Sequence, residues 1–149
     1  MYVYTIIMTP AELSSFQRFD TLVKSFTENS TDLNKQALSV LGGSILLILS
    51  TNYIKPPVRK ARLIYLLFIP AWTFLSLTLY FNNIIMRQNA AYFFSMNKED
   101  KLGICSDVND VYANQLLAFQ TSIVVLAIWL TAYLIWWIFY SEHILKPKN

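Results

Sequence analysis

Lys55-Pro56-Pro57-Val58-Arg59-Lys60-Ala61-Arg62 stands between two long apolar runs and carries positive charge only. Neither proline offers a backbone donor, and each pushes the residue before it out of the α region, so the stretch ends one helix and separates it from the next. If the runs on either side cross a bilayer, this turn is their connection. Lys55, Arg59, Lys60 and Arg62 are then the charges that set which way the chain faces.

The first run, 37–54, lies within a charge-free stretch from Gln36 to Ile54. At ~1.5 Å per residue it is just long enough for a ~30 Å hydrocarbon core. Ser39 and Gly43 form a small-xxx-small pair on it, which predicts close approach of another helix. The second run, 63–86, is charge-free throughout and contains Pro70, which predicts a bend. The third, 116–140, lies within a charge-free stretch from Val111 to Ser141 that exceeds what a bilayer needs. Trp136, Trp137 and Tyr140 at its end, with Tyr53 and Tyr65 beside the basic turn, mark one headgroup level.

Composition agrees with this reading. Of 149 residues, 55% are hydrophobic and 14% charged, against a usual ~25% charged. The length suits one domain. The net charge of +3 does not point to nucleic acid, because the Lys and Arg gather beside the apolar runs and no basic face with interleaved aromatics is present. With one cysteine, Cys105, and one histidine, His143, the chain can close neither an internal disulfide nor a zinc site by itself.

Residues 1–36 form an N-terminal segment. Residues 1–8 are apolar but too short to span, and they lack the basic n-region and cleavage site of a signal peptide. They read as a strand or as an apolar tail. Thr9, Pro10 and Glu12 predict a helix start. Leu13, Phe16, Phe19, Val23 and Phe26 then form one apolar face of an amphipathic helix over about 10–29. That helix packs on the rest of the protein or lies in the membrane interface. Glu28–Asp32 reads as a polar break before the first span. Residues 87–115 form an extramembrane hairpin loop, with a turn at Lys98–Gly103 and Ser106 or Asp107 capping the third helix. Residues 141–149 are a basic tail.

The fold class expected is therefore an all-α integral membrane protein. It has three transmembrane helices and an amphipathic N-terminal helix, and the second and third helices extend beyond the bilayer. The twelve Lys and Arg divide equally between the two sides. The density of charge at 55–62 puts the basic turn and the C-terminus in the cytoplasm and the N-terminus outside.

No phosphate-binding glycine loop, metal motif or nucleophile-base set is present, so no enzyme and no cofactor is expected. Glu99, Asp100, Asp107 and Asp110 read as capping and solvated charges. No acid or base lies deep in a span, which argues against a proton-coupled transporter. Neutral polarity remains. Thr73, Ser76, Tyr80, Asn83 and Arg87 share one face of the second helix, and Gln120 and Thr131 a thinner face of the third. Such a face packs against other helices or lines water. The sequence thus points to a homo-oligomeric membrane assembly, a channel or permeabilising effector among its forms, or to an accessory, scaffolding or inhibitory subunit of a larger membrane complex. The partners expected are lipid and copies of itself or other membrane subunits.

Overall fold

A computed structural model describes residues 10–51, 63–95 and 97–140. Those residues form three long helices: α1 (Pro10–Thr51), α2 (Phe68–Phe94) and α3 (Lys98–Tyr140), with a 3-10 turn at Leu63–Leu67 leading into α2. All three are long and apolar enough to cross a membrane. The basic turn, residues 1–9 and the tail 141–149 lie outside the described residues.

One rule explains the packing. In α1 the residues turned inward are Phe19, Val23, Phe26, Ser30, Leu33, Ala37, Val40, Ser44 and Leu47. Their spacing alternates three and four without a phase slip, which is the heptad pattern of supercoiled helices. Phe68, Ala71, Leu75, Thr78, Asn82, Ile85, Asn89 and Tyr92 repeat it in α2. In α3 it runs through Ile104, Val108, Val111, Gln115, Ala118, Ser122, Val125 and Trp129. The α2–α3 hairpin packs most extensively, and α1 lies against both. Asp20 meets Tyr92 and Ser44 meets Trp72, so α1 and α2 are antiparallel. Phe26 meets Tyr112 and Ser30 meets Gln115, so α1 and α3 are parallel.

This continuity corrects three expectations. Glu28–Asp32 is no break: α1 runs through it, because Ser30 falls on the inward seam and is fully buried. The loop expected over 87–115 contracts, because α2 continues to Phe94 and α3 begins at Lys98. Ser95 is extended and ends α2, its N–H donating to Ala91 O. Asn97 then opens α3: its carbonyl accepts from Lys101 N–H and its side-chain amide donates to Asp100 at 3.2 Å. Glu99 and Asp100 in the first turn complement the positive helix end. Gly103, Ser106 and Asp107 are therefore interior to α3. Finally, Pro70 sits in the first turn of α2, where its missing N–H has no intrahelical acceptor to lose, so it starts the helix and does not bend its middle.

Charge divides the bundle lengthwise. Arg18, Asp20, Lys24, Glu28, Asp32 and Lys35 on α1, Arg87 on α2, and Glu99, Asp100, Lys101, Asp107 and Asp110 on α3 all lie toward one end. Ser30, Asn82 and Gln115 meet at one level, which places Lys35 close to the level of Gln120. Beyond that level none of the three helices carries a charge, over roughly 30 Å of α3 from Gln120 to Tyr140. The charge-free half exposes large apolar side chains, Leu46 at 68% and Ile69 at 61% among them.

Candidate functional site

The α2 stripe faces outward. Thr73, Ser76, Tyr80, Asn83 and Arg87 are all exposed, and the Thr73 hydroxyl donates to its own helix at Ile69 O, 2.9 Å. They are not a packing face within the chain. Phe68, Ala71, Leu75, Thr78 and Ile85, which lie inward, take that role. Gln120 and Thr131 are also exposed, but on α3. Each set sits off its helix's inward seam, so the bundle does not bring the two together. Asn83 stands level with the charged residues of α1, because its neighbour Asn82 meets Ser30. Tyr80, Asn83 and Arg87 thus belong at or above the charge boundary, and only Thr73 and Ser76 lie below it.

Ser39 and Gly43 miss the seam as well. Both are exposed, and a Cβ built on Gly43 would meet nothing within 4 Å. The close approach falls instead to small residues on the seam: Ala37 and Ser44 in α1, Ala71 in α2, Ala118 and Ser122 in α3. Lys55, Arg59, Lys60 and Arg62 lie outside the described residues.

The polar chemistry inside the bundle comes from residues that the face-by-face reading passed over. Among the described residues, three side-chain hydrogen bonds run between α1 and α2. Near the hairpin tip, Tyr92 Oη donates to Asp20 Oδ1 at 2.7 Å, with Lys101 Nζ 4.9 Å from the ring centre. At the charge boundary, Ser30 Oγ donates to Asn82 Oδ1 at 2.9 Å. In the charge-free half, Trp72 Nε1 donates to Ser44 Oγ at 2.9 Å, and that hydroxyl donates on to Leu41 O at 2.7 Å. Gln115 completes the middle level. It is fully buried, and its amide nitrogen donates to the carbonyls of Ser30 and Thr78, each at 3.3 Å, touching both other helices at once. Its Oε1 has no partner, nor has Ser122 Oγ one heptad on.

Tyr92 is the largest fully buried side chain among the described residues. Burial first, then the hydrogen bond and negative charge of Asp20, hold its phenol well above the ordinary tyrosine value. Burial likewise raises the Cys105 thiol. Both stand in the charged half. There a groove of about 430 Å³ opens between α1 and α3, lined by Phe19, Leu22, Phe26, Leu102 and Cys105. A second opening of about 200 Å³, lined by Val40, Leu47, Leu126 and Trp129 with Phe68 of α2 at its side, lies along α1 and α3 in the charge-free half. Aromatic contact closes the far end: Trp129 meets Phe68 at 4.7 Å between ring centres and stacks on Tyr133. Among the described residues no three His, Cys, Asp or Glu side chains could share a metal ion.

Comparison with family models, with curated proteins and with solved structures returned no match.

Proposed function

We propose that the chain is a non-enzymatic, oligomeric membrane subunit. Its charge-free half lies in the bilayer, and its charged half stands outside as a helical bundle that meets other chains. The observation that carries this is the α2 stripe, which is exposed throughout and packs on neither of the other two helices, although Thr73 and Ser76 lie among the apolar side chains of the charge-free half. Polar side chains avoid lipid, so Thr73 and Ser76 call for another chain or for water, while Tyr80, Asn83 and Arg87 carry the same face on into the charged half. The openings along the α1–α3 seam support association in the same way. The proposed orientation keeps the basic turn and C-terminus in the cytoplasm and the N-terminus and hairpin tip outside, on the density of positive charge at 55–62. Labelling of a cysteine placed at exposed Asp107, with Cys105 changed to Ser, tests it: modification from the outer face supports it, and modification from the cytoplasmic face alone refutes it.

A second reading, a pore lined by several copies of α2, draws on Thr73 and Ser76, which face outward in the charge-free half. It has only those two side chains at that depth, which favours the contact reading. Copy number in nanodiscs and ion flux in liposomes separate them. The contact reading expects several copies or a stoichiometric partner, no flux, and a shift toward monomer in Asn83→Leu with Arg87→Ala. Flux abolished by Ser76→Leu would favour the pore, and a monomer with neither partner nor flux would sink both.

A further inference from the structure

The apolar seam does not by itself choose how far along the hairpin α1 lies. Its inward positions are small or apolar at nearly every level from Phe19 to Leu47. Moving α1 by seven residues, about 10 Å, presents the same kind of face again. Such a slip would carry Lys35 out of line with the charge boundary of α2 and α3.

We infer that the three side-chain hydrogen bonds between α1 and α2 form a register ladder that fixes this position. The rungs are Tyr92–Asp20, Ser30–Asn82 and Trp72–Ser44. They sit at the hairpin tip, at the charge boundary and in the charge-free half, so they sample the whole length of contact. Each is chemically particular: a phenol to a carboxylate, a hydroxyl to a carboxamide, an indole N–H to a hydroxyl. A slip of seven residues separates all three pairs together. Tyr92 is fully buried and Trp72 half-buried, so their donors would be left without these acceptors away from water, which is the costly way to lose a hydrogen bond. Gln115 reinforces the middle rung through the Ser30 carbonyl but does not select it, since any seam carbonyl of α1 could accept from it. Polar positions in an otherwise apolar heptad seam set register in this way and lower stability where they are imperfectly satisfied. The partnerless Gln115 Oε1 fits that description.

The inference concerns one chain and stands whether or not the chain oligomerises. Its test uses the full-length protein in lipid with Cys105→Ser, so that only introduced thiols react. Leu33 and Thr78 lie one turn beyond Ser30 and Asn82 toward the charge-free end. Leu33→Cys paired with Thr78→Cys therefore reports the native register, and Leu33→Cys paired with Ala71→Cys or Ile85→Cys reports a slip either way. In the parent background only the first pair is expected to cross-link. The triple variant Tyr92→Phe, Ser30→Ala, Trp72→Phe removes every donor of the ladder and keeps an aromatic ring at 72 and 92. It is expected to stay helical while one slipped pair gains roughly tenfold in cross-link yield, as losing a net hydrogen bond or more implies. A helical triple variant that still cross-links only through Thr78→Cys overturns the inference. If the triple variant loses its helicity, Tyr92→Phe, Ser30→Ala and Trp72→Phe are read singly. A slipped cross-link in at least one supports the ladder, and none in any of them overturns it.

Discussion

Tyr92→Ala is expected to loosen the charged half by about 3–5 kcal/mol, the cost of emptying a fully enclosed aromatic site. Tyr92 is fully buried, and it holds two neighbours at once, Asp20 through its hydroxyl and Lys101 over its ring. Removing it opens a cavity at the end where α1 meets the hairpin tip. Tyr92→Phe keeps the ring and loses only the hydrogen bond, so it should cost about 1 kcal/mol. Amide exchange over residues 18–28 separates the two. The alanine variant should exchange there at least a hundredfold faster, at about 1.4 kcal/mol per tenfold, and the phenylalanine variant by roughly tenfold or less. Equal protection in Tyr92→Ala and the parent would mean that α1 is not held at this point.

The second large effect concerns the charge boundary. Ile128 is 55% exposed and faces outward near the middle of the charge-free half, whereas Ala113, also exposed, lies above the boundary near Asp110. Ile128→Arg should disfavour insertion of the third helix by about 2.5–3.5 kcal/mol, as a central arginine does. Ala113→Arg should change it little, because that side chain stands beside Asp110 in the half that the proposed arrangement leaves in water. The inserted fraction of the third helix, read from glycosylation tags on either side of it, measures both. Equal losses would place the two positions in one environment and remove the basis for dividing the bundle.

Much of this architecture is legible in the sequence, for a physical reason. Charge-free runs at 37–54, 63–86 and 116–140 need no tertiary information to read, because length and apolarity alone decide whether a helix can cross a bilayer. The extra charge-free length before residue 116 likewise points to a helix longer than 116–140, and α3 runs from Lys98 to Tyr140. What escaped depends on partners. Glu28–Asp32 looks like a break when its five residues are taken alone. Only the unbroken three-four spacing through Val23, Phe26, Ser30, Leu33 and Ala37 shows that Ser30 is an inward position and that the helix goes on. The turn was displaced for a similar reason. Gly103 reads as a helix end, yet the roughly 1 kcal/mol a helical glycine costs is small beside the packing of Ile104 and Val108 that follow it.

The polar residues divide along the same line. Grouping Thr73, Ser76, Tyr80, Asn83 and Arg87 by face finds a stripe because they share it, and sharing it is what puts them outside. Asp20, Ser30, Ser44, Asn82 and Gln115 are scattered over three helices, and no local pattern marks them as bonded. Their partners lie on other helices, so only the assembled bundle brings them together. A search of the heptad seam for isolated polar residues would have picked out Ser30, Asn82 and Gln115.

The claim on which the rest depends is that water ends and lipid begins at one level of the bundle. Ser106, Ala113, Gln120, Ala127 and Leu134 are spaced seven apart along α3, and all are exposed. A spin label at each in turn, with Cys105→Ser and the protein in lipid vesicles, reads the accessibility of that face to oxygen and to a water-soluble nickel complex. Labels at 106 and 113 should meet the nickel complex. The one at 120 should lie at the changeover, and those at 127 and 134 should meet oxygen and exclude nickel. Nickel accessibility as high at 127 as at 113 would contradict the account.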